Sequence, residues 1–90
     1  MSDRYQQAPE IELEQMGGET ILLNPATSKF CLLNSSAAVA WREMKQPATA
    51  ASIASVLCGS FEGVSEEEAS RDAQMLIERL RTDGFIMSVD

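Results

Sequence analysis

The feature that most limits how this chain can fold is a change of apolar period at Asn34. Before it, apolar residues come in short blocks separated by turn formers. Glu10-Ile11-Glu12-Leu13-Glu14 alternates strictly, the pattern of a strand with one face in water. Thr20-Ile21-Leu22-Leu23 and Lys29-Phe30-Cys31-Leu32-Leu33 are nearly unbroken apolar runs, the pattern of strands covered on both faces. Gly17-Gly18 supplies the positive φ of a tight turn, and proline in Asn24-Pro25 stops the second run, with Ala26-Thr27-Ser28 continuing the turn. A small antiparallel sheet at the front of the domain is predicted.

From Asn34 onward the period is helical. Asn34 or Ser35 caps a helix whose Ala37, Val39, Ala40, Trp41 and Met44 share one broad face, and Gln46-Pro47 ends it. Thr49 caps a second helix with Ile53, Val56 and Leu57 inward, Gly59 as its stop and Phe61 folding back against it. Ser65-Glu66-Glu67-Glu68 reads as a capping box with Glu68 at the third helical position, and the three acids suit a helix dipole. Glu67 and Arg71 stand four apart in the favoured order. Ala69, Ala73, Leu76 and Leu80, widened by Ile77, form the inner stripe of this third helix, and Asp83-Gly84 ends it. Phe85 to Val89 is a closing strand or a packed tail. The order predicts an α+β fold of winged helix-turn-helix type: a small N-terminal antiparallel sheet, three α-helices, and a short C-terminal strand or tail. Residues 1–9, polar and without apolar periodicity, are expected as a flexible arm before a single domain over 10–90.

Chemistry is narrowly bounded. With no histidine among its 90 residues, the chain would have to draw acid–base groups from carboxylates, cysteine, lysine or tyrosine. The crowded Glu66, Glu67 and Glu68 are explained by their place at a helix start. Cys31 and Cys58 are far apart, form no CxxC pair, and read as small reduced hydrophobes; burial of Cys31 would blunt its reactivity. No P-loop, dinucleotide-binding glycine turn or nucleophile elbow is present. Neither a catalytic centre nor a metal or cofactor site is expected. A signal-peptide pattern and an apolar run long enough to span a bilayer are both lacking, so a soluble, cytoplasmic protein is expected.

Two binding surfaces are worth weighing. A winged helix-turn-helix can read DNA, and the third helix offers Arg71, Gln74, Arg79 and Arg81. It also carries Glu66, Glu67, Glu68, Asp72, Glu78 and Asp83, and the chain's net charge is −7, so phosphate meets repulsion. A DNA-binding regulator is therefore the alternative reading, and nucleic acid is not an expected partner. The other surface is the run Lys29 to Leu33. At a sheet edge it would offer unpaired backbone groups to an incoming strand. Beside the core stripe of the third helix runs a second stripe of Asp72, Met75 and Arg79, which with that edge would form a groove with a soft apolar floor and charged walls. The plainer reading makes Met75 ordinary core and Arg79 ordinary surface. Pairing of the same edge with another copy, giving a homodimer, is a further reading.

The motifs then resemble a known family. Phe30-Cys31-Leu32-Leu33-Asn34 followed by Ala37, Ala38 and Trp41 is similar to the hydrophobic-strand, Leu-Asn, small-residue signature of the PqqD-like family, the peptide chaperones called RiPP recognition elements. Thr49, Ile53, Leu57, Phe61, Val64, a run of acids, Arg71-Asp72, Leu76, Leu80 and Gly84-Phe85-Ile86 follow in the same order. The resemblance covers roughly residues 19 to 87 and departs at Lys45-Gln46-Pro47, where an Asp-Gly turn is common, and at Met75, a variable position. It implies a non-catalytic accessory protein that binds the leader segment of a ribosomally made precursor peptide as an added strand, between the third strand and the third helix. The leader would be presented to a maturation enzyme such as a radical SAM enzyme, a cyclase or a leader peptidase. It also implies contacts from Phe30, Cys31, Leu32 and Leu33 on the strand and from Arg71, Asp72, Met75 and Arg79 on the helix. Which strand residues face the groove is open, because a one-residue shift of register exchanges the faces.

Overall fold

The fold was determined as a computed structural model, in which residues 3–89 are described. The elements run β1 (Arg4–Gln7), β2 (Glu12–Met16), β3 (Glu19–Asn24), β4 (Lys29–Leu33), α1 (Ser35–Glu43), β5 (Ala48–Thr49), α2 (Ala50–Ser60), α3 (Glu66–Thr82) and β6 (Ile86–Val89). They form two three-stranded antiparallel sheets, ordered β2-β3-β4 and β5-β1-β6. This is the predicted α+β architecture, with the helices packed on one face of the first sheet and the second sheet meeting α2 and α3 through β5 and β6.

The arm expected at 1–9 is instead a strand over Arg4–Gln7, paired with β6 on one side and β5 on the other; Met1 and Ser2 lie outside the described residues. β1 has no apolar period because it is held mainly by polar bonds. Gln7 N–H donates to Met44 O at 2.8 Å, Gln7 Nε2 to Trp41 O at 2.8 Å, and Ala8 N–H to Phe85 O at 2.9 Å. Its pairing turns the apolar end of the chain into a strand, one of the two forms expected there. β2 begins two residues later than its alternation suggested, because Glu10 takes a positive φ of 67° that a strand does not accept.

The helix starts follow the sequence. Asn34 Oδ1 accepts from Ala37 N–H at 2.9 Å, and Ser65 Oγ from Glu68 N–H at 3.1 Å. The complete reciprocal box lies elsewhere than expected, at Thr49 and Ser52, whose side chains each accept the other's backbone N–H at 3.0 Å. Glu68 meets only the Ser65 hydroxyl, at 3.5 Å. Gly59 does not stop α2; the helix continues to Ser60 and ends as Phe61 turns extended. No ion pair joins Glu67 to Arg71; α3 instead pairs Glu78 with Arg81, at 3.9 Å.

The core lies between the first sheet and the helices. Leu22, Cys31 and Leu33 from the sheet meet Ala40, Trp41 and Met44 of α1, Ile53 and Leu57 of α2, and Ala73, Ile77 and Leu80 of α3, with Phe85 closing it. Small residues on the inner stripe of α3 (Ala69, Ala73) allow α2 to pack closely against it.

Candidate functional site: an open strand edge beside a helix-walled groove

In its sheet, β4 is hydrogen-bonded to β3 on one side only. The backbone groups that alternate along its other side are therefore left without a partner strand, the condition for strand addition. Alternation also settles the faces. Cys31 and Leu33 turn into the core, at 3% and 2% exposure, while Phe30 and Leu32 point out, at 69% and 50%. The registers Leu22↔Cys31 and Thr20↔Leu33 fix this orientation, since both partners are buried.

A groove of about 660 Å³ adjoins the end of this edge. Leu32, Leu33 and Asn34 form one wall, and Asp72, Met75, Leu76 and Arg79 of α3 form the other. Those four α3 residues fall at i, i+3, i+4 and i+7, so they share one face of the helix. Ser36 and Ala37 from the first turn of α1, with Leu57 of α2, make the floor, and Glu19 stands at the mouth. Met75 is 65% exposed, so it lies over the groove as an adaptable apolar surface and not in the core. Asp72 and Arg79 give the two ends opposite charge, separated by about two helical turns, roughly 10 Å.

Of the eight residues singled out in the sequence, Leu32, Leu33, Asp72, Met75 and Arg79 line this groove. Phe30 does not: it lies on the outer face of the sheet, beside Leu23 and Ile21. Cys31 is in the core, and Arg71 is exposed on α3 outside the groove. The sequence missed Ala37, Leu57 and Leu76 as groove residues because their apolar character and spacing are those of core positions. A small residue, Ala37, in the turn directly after the edge strand was the available signal.

Cys31 also reports on the electrostatics. Burial pushes its thiol up; the Arg79 guanidinium offsets part of this, and the Asp83 carboxylate adds to it. The thiol is thereby held protonated, and its Sγ contacts Leu32 O at 3.7 Å. A protonated, buried thiol is a poor nucleophile. Lys29 Nζ pairs with Asp83 at 3.5 Å, tying the start of β4 to the end of α3. Among the described residues, no cluster of three or more His, Cys, Asp and Glu is placed to hold a metal ion, and no helix is long and apolar enough to cross a membrane.

Scaffold and groove together define a winged-helix-like domain with an unpaired strand edge beside a helix-walled groove. The chain belongs to the PqqD family: the family model of coenzyme PQQ synthesis protein D matches residues 19–86, from β3 to the start of β6. No curated protein matches it. Among solved structures it is similar to a lasso peptide synthetase B1 complexed with the leader peptide, at 25% identity and a TM-score of 0.77, covering 92% of this chain and 96% of that one. A second is TbiB1 in complex with the TbiA(beta) leader peptide, at 15% identity and a TM-score of 0.77, covering 90% of this chain and 93% of that one; it shows the shared fold.

Proposed function

We propose that this protein is a leader-peptide-binding accessory protein. It takes the leader of a ribosomally synthesised precursor as an added strand on β4 and presents it to a maturation enzyme, without chemistry of its own. The observation that carries this reading is the unpaired edge of β4 lying against a groove walled by Met75 and Leu33. Membership of the PqqD family and likeness to two proteins solved with leader peptides support it. The protonated state of Cys31 supports the absence of chemistry, as it removes the most nucleophilic side chain near the groove.

Energetics requires the groove as well as the edge. Three to five inter-strand hydrogen bonds at about 0.5–1.5 kcal/mol each contribute roughly 2–7 kcal/mol. Micromolar binding needs about 8 kcal/mol net, after several more are lost in association and in ordering a flexible leader. Apolar side chains seated against Met75, Leu76 and Leu33 supply the difference at about 25 cal/mol per Å². Side chains of an added strand alternate, so those anchors fall at every second leader position.

The test uses synthetic leaders of short precursor peptides taken from reading frames that flank the gene for this chain, labelled and titrated by fluorescence anisotropy, with amide NMR shifts recorded in parallel. Saturable binding is expected, with the largest shifts at Lys29 to Leu33 and at Asp72 to Arg79. N-methylation of alternate leader amides should weaken it by at least tenfold. Absence of binding up to about 1 mM leader, corresponding to less than about 4 kcal/mol, would refute the proposal. Salt-sensitive binding to duplex DNA in its place would point to a regulator.

A further inference from the structure

The first sheet has a second surface that meets the groove only at Leu32 and Glu19. The registers Leu23↔Phe30, Ile21↔Leu32, Glu12↔Leu23 and Glu14↔Ile21 place these side chains together on the face turned away from the helices. Met16 and Glu19, also opposite one another, extend it. Met16, Leu23, Phe30 and Leu32 are large apolar side chains exposed to solvent, and Ile21 is half-buried among them. The apolar runs of β3 and β4 are those of strands covered on both faces, yet the chain itself covers only one. A contiguous apolar face of this kind marks an interaction surface.

Charge identifies the occupant. Glu12, Glu14 and Glu19 rim the face, none of them is in an ion pair among the described residues, and the registers place no lysine or arginine on it. A second copy seated face to face would bring two sets of these three carboxylates together, and anionic lipid or nucleic acid would be repelled outright. A protein surface with an apolar centre ringed by lysine and arginine complements it. We infer that this outer face docks the maturation enzyme through such a basic-rimmed apolar patch, an inference that rests on the function proposed above. A leader added beside β4 extends the same sheet, so its outward side chains emerge next to Phe30 and Leu32. An enzyme seated here touches scaffold and leader together and distinguishes the loaded protein from the empty one.

The test uses the full chain and a purified maturation enzyme taken from the reading frames that flank its gene, with affinities measured by calorimetry or interferometry. Two variants leave the groove intact: L23S, and the charge reversal E12K/E14K. Each should bind labelled leader within about threefold of the parent and bind the enzyme at least tenfold more weakly, the reversal most strongly at low salt. Leader should tighten enzyme binding in the parent protein. Enzyme affinity unchanged in both variants would overturn the docking face while leaving leader binding standing. Parent protein that binds the enzyme but not the leader would overturn the proposed function, and with it the presentation role of this face. A concentration-dependent dimer abolished by L23S would assign the face to self-association and overturn the inference.

Discussion

Asn24 Nδ2 donates a 2.9 Å hydrogen bond to the carbonyl of Gly84, sixty residues further along the chain. The same side chain accepts from Ala26 N–H at 3.0 Å, so one buried amide ends β3, shapes the turn into β4 and holds the exit of α3. Gly84 sits at φ 80°, and a Cβ there would stand 3.1 Å from Asn24 Nδ2. These contacts, with Lys29–Asp83 close by, set how near the open edge lies to the helix that walls the groove.

Replacing Asn24 by Ala should therefore cost about 1–3 kcal/mol, since two bonds are lost and the Gly84 carbonyl loses its partner. Gly84→Ala should cost about 1–2 kcal/mol from the left-handed backbone alone, and more from the close approach. The double variant should lose less than the sum, because Asn24→Ala removes the atom that the new Cβ meets. Urea melts of the four proteins give the cycle, and strict additivity would contradict the coupling.

Groove and core separate cleanly at two neighbouring positions. Met75 is exposed and Leu33 is buried, although both line the groove. Met75→Glu should leave the urea midpoint nearly unchanged and weaken leader binding by tenfold or more, an effect of about 1.4 kcal/mol or above. Leu33→Ala should cost about 2–5 kcal/mol of stability, as a buried leucine leaves a cavity. Loss of stability in Met75→Glu would place that side chain in the core after all.

The sequence carried the scaffold because most of its elements obey their own periods. The capping serine, the acidic first turn and the Ala69-Ala73-Leu80 stripe mark α3 without help from tertiary structure. Where the structure departs from the sequence reading, the cause is long-range pairing in one case and local backbone geometry in another. Arg4–Gln7 is polar, and its pairing partner lies some eighty residues away, so nothing local marks it as a strand. Gly59 is an ordinary helical residue, because a glycine stops a helix only when the chain turns left-handed there. The sequence places Phe30, Cys31, Leu32 and Leu33 on one strand and leaves open which of them face the groove, because strand alternation sends neighbours to opposite faces. The register that resolves this depends on which of two apolar faces is buried, and the unbroken run Phe30-Cys31-Leu32-Leu33 does not say.

The opposite charges at the ends of the groove should orient a bound leader. Arg79→Glu removes a cation and places an anion near one end, while Asp72→Lys does the reverse near the other. If the leader runs with an acidic residue beside Arg79, Arg79→Glu should weaken binding several-fold at low salt and much less at high salt. Swapping the charge on that leader residue should restore affinity. Equal affinities for both variants at low ionic strength would show that the groove walls take no part in orientation.

Helix capping gives a stability test independent of any ligand. Thr49 accepts from Ser52 N–H in a complete reciprocal box, whereas Ser65 and Glu68 form only half of one. Each cap replaced by Ala should cost about 0.5–2 kcal/mol, with Thr49→Ala the larger because the Ser52 N–H it strands is half-buried, whereas the Glu68 N–H stranded by Ser65→Ala is exposed to water. Thermal or urea melts would check the order, and a larger loss at Ser65 would contradict it.

Cys31 provides a pH-dependent signature of the core behind the edge strand. Burial pushes its thiol up, with Arg79 opposing and Asp83 assisting, so the folded protein binds this proton more tightly than the unfolded chain does. The sign follows from linkage: the contribution is complete below the unfolded thiol value, about 8.5, and is lost as pH rises from there through the higher folded value. The stability difference between the parent protein and Cys31→Ala should therefore be constant at neutral pH and shift against the parent above about pH 8.5. Native-state alkylation supplies the second readout. Half-buried Cys58, whose Sγ lies 3.3 Å from Val64 O, should be modified well before buried Cys31. Bound leader should slow Cys31 further, because an added strand closes the edge through which reagent reaches it. Modification of Cys31 at the rate of Cys58, unchanged by leader, would show that the thiol lies on an open surface and that nothing covers its strand.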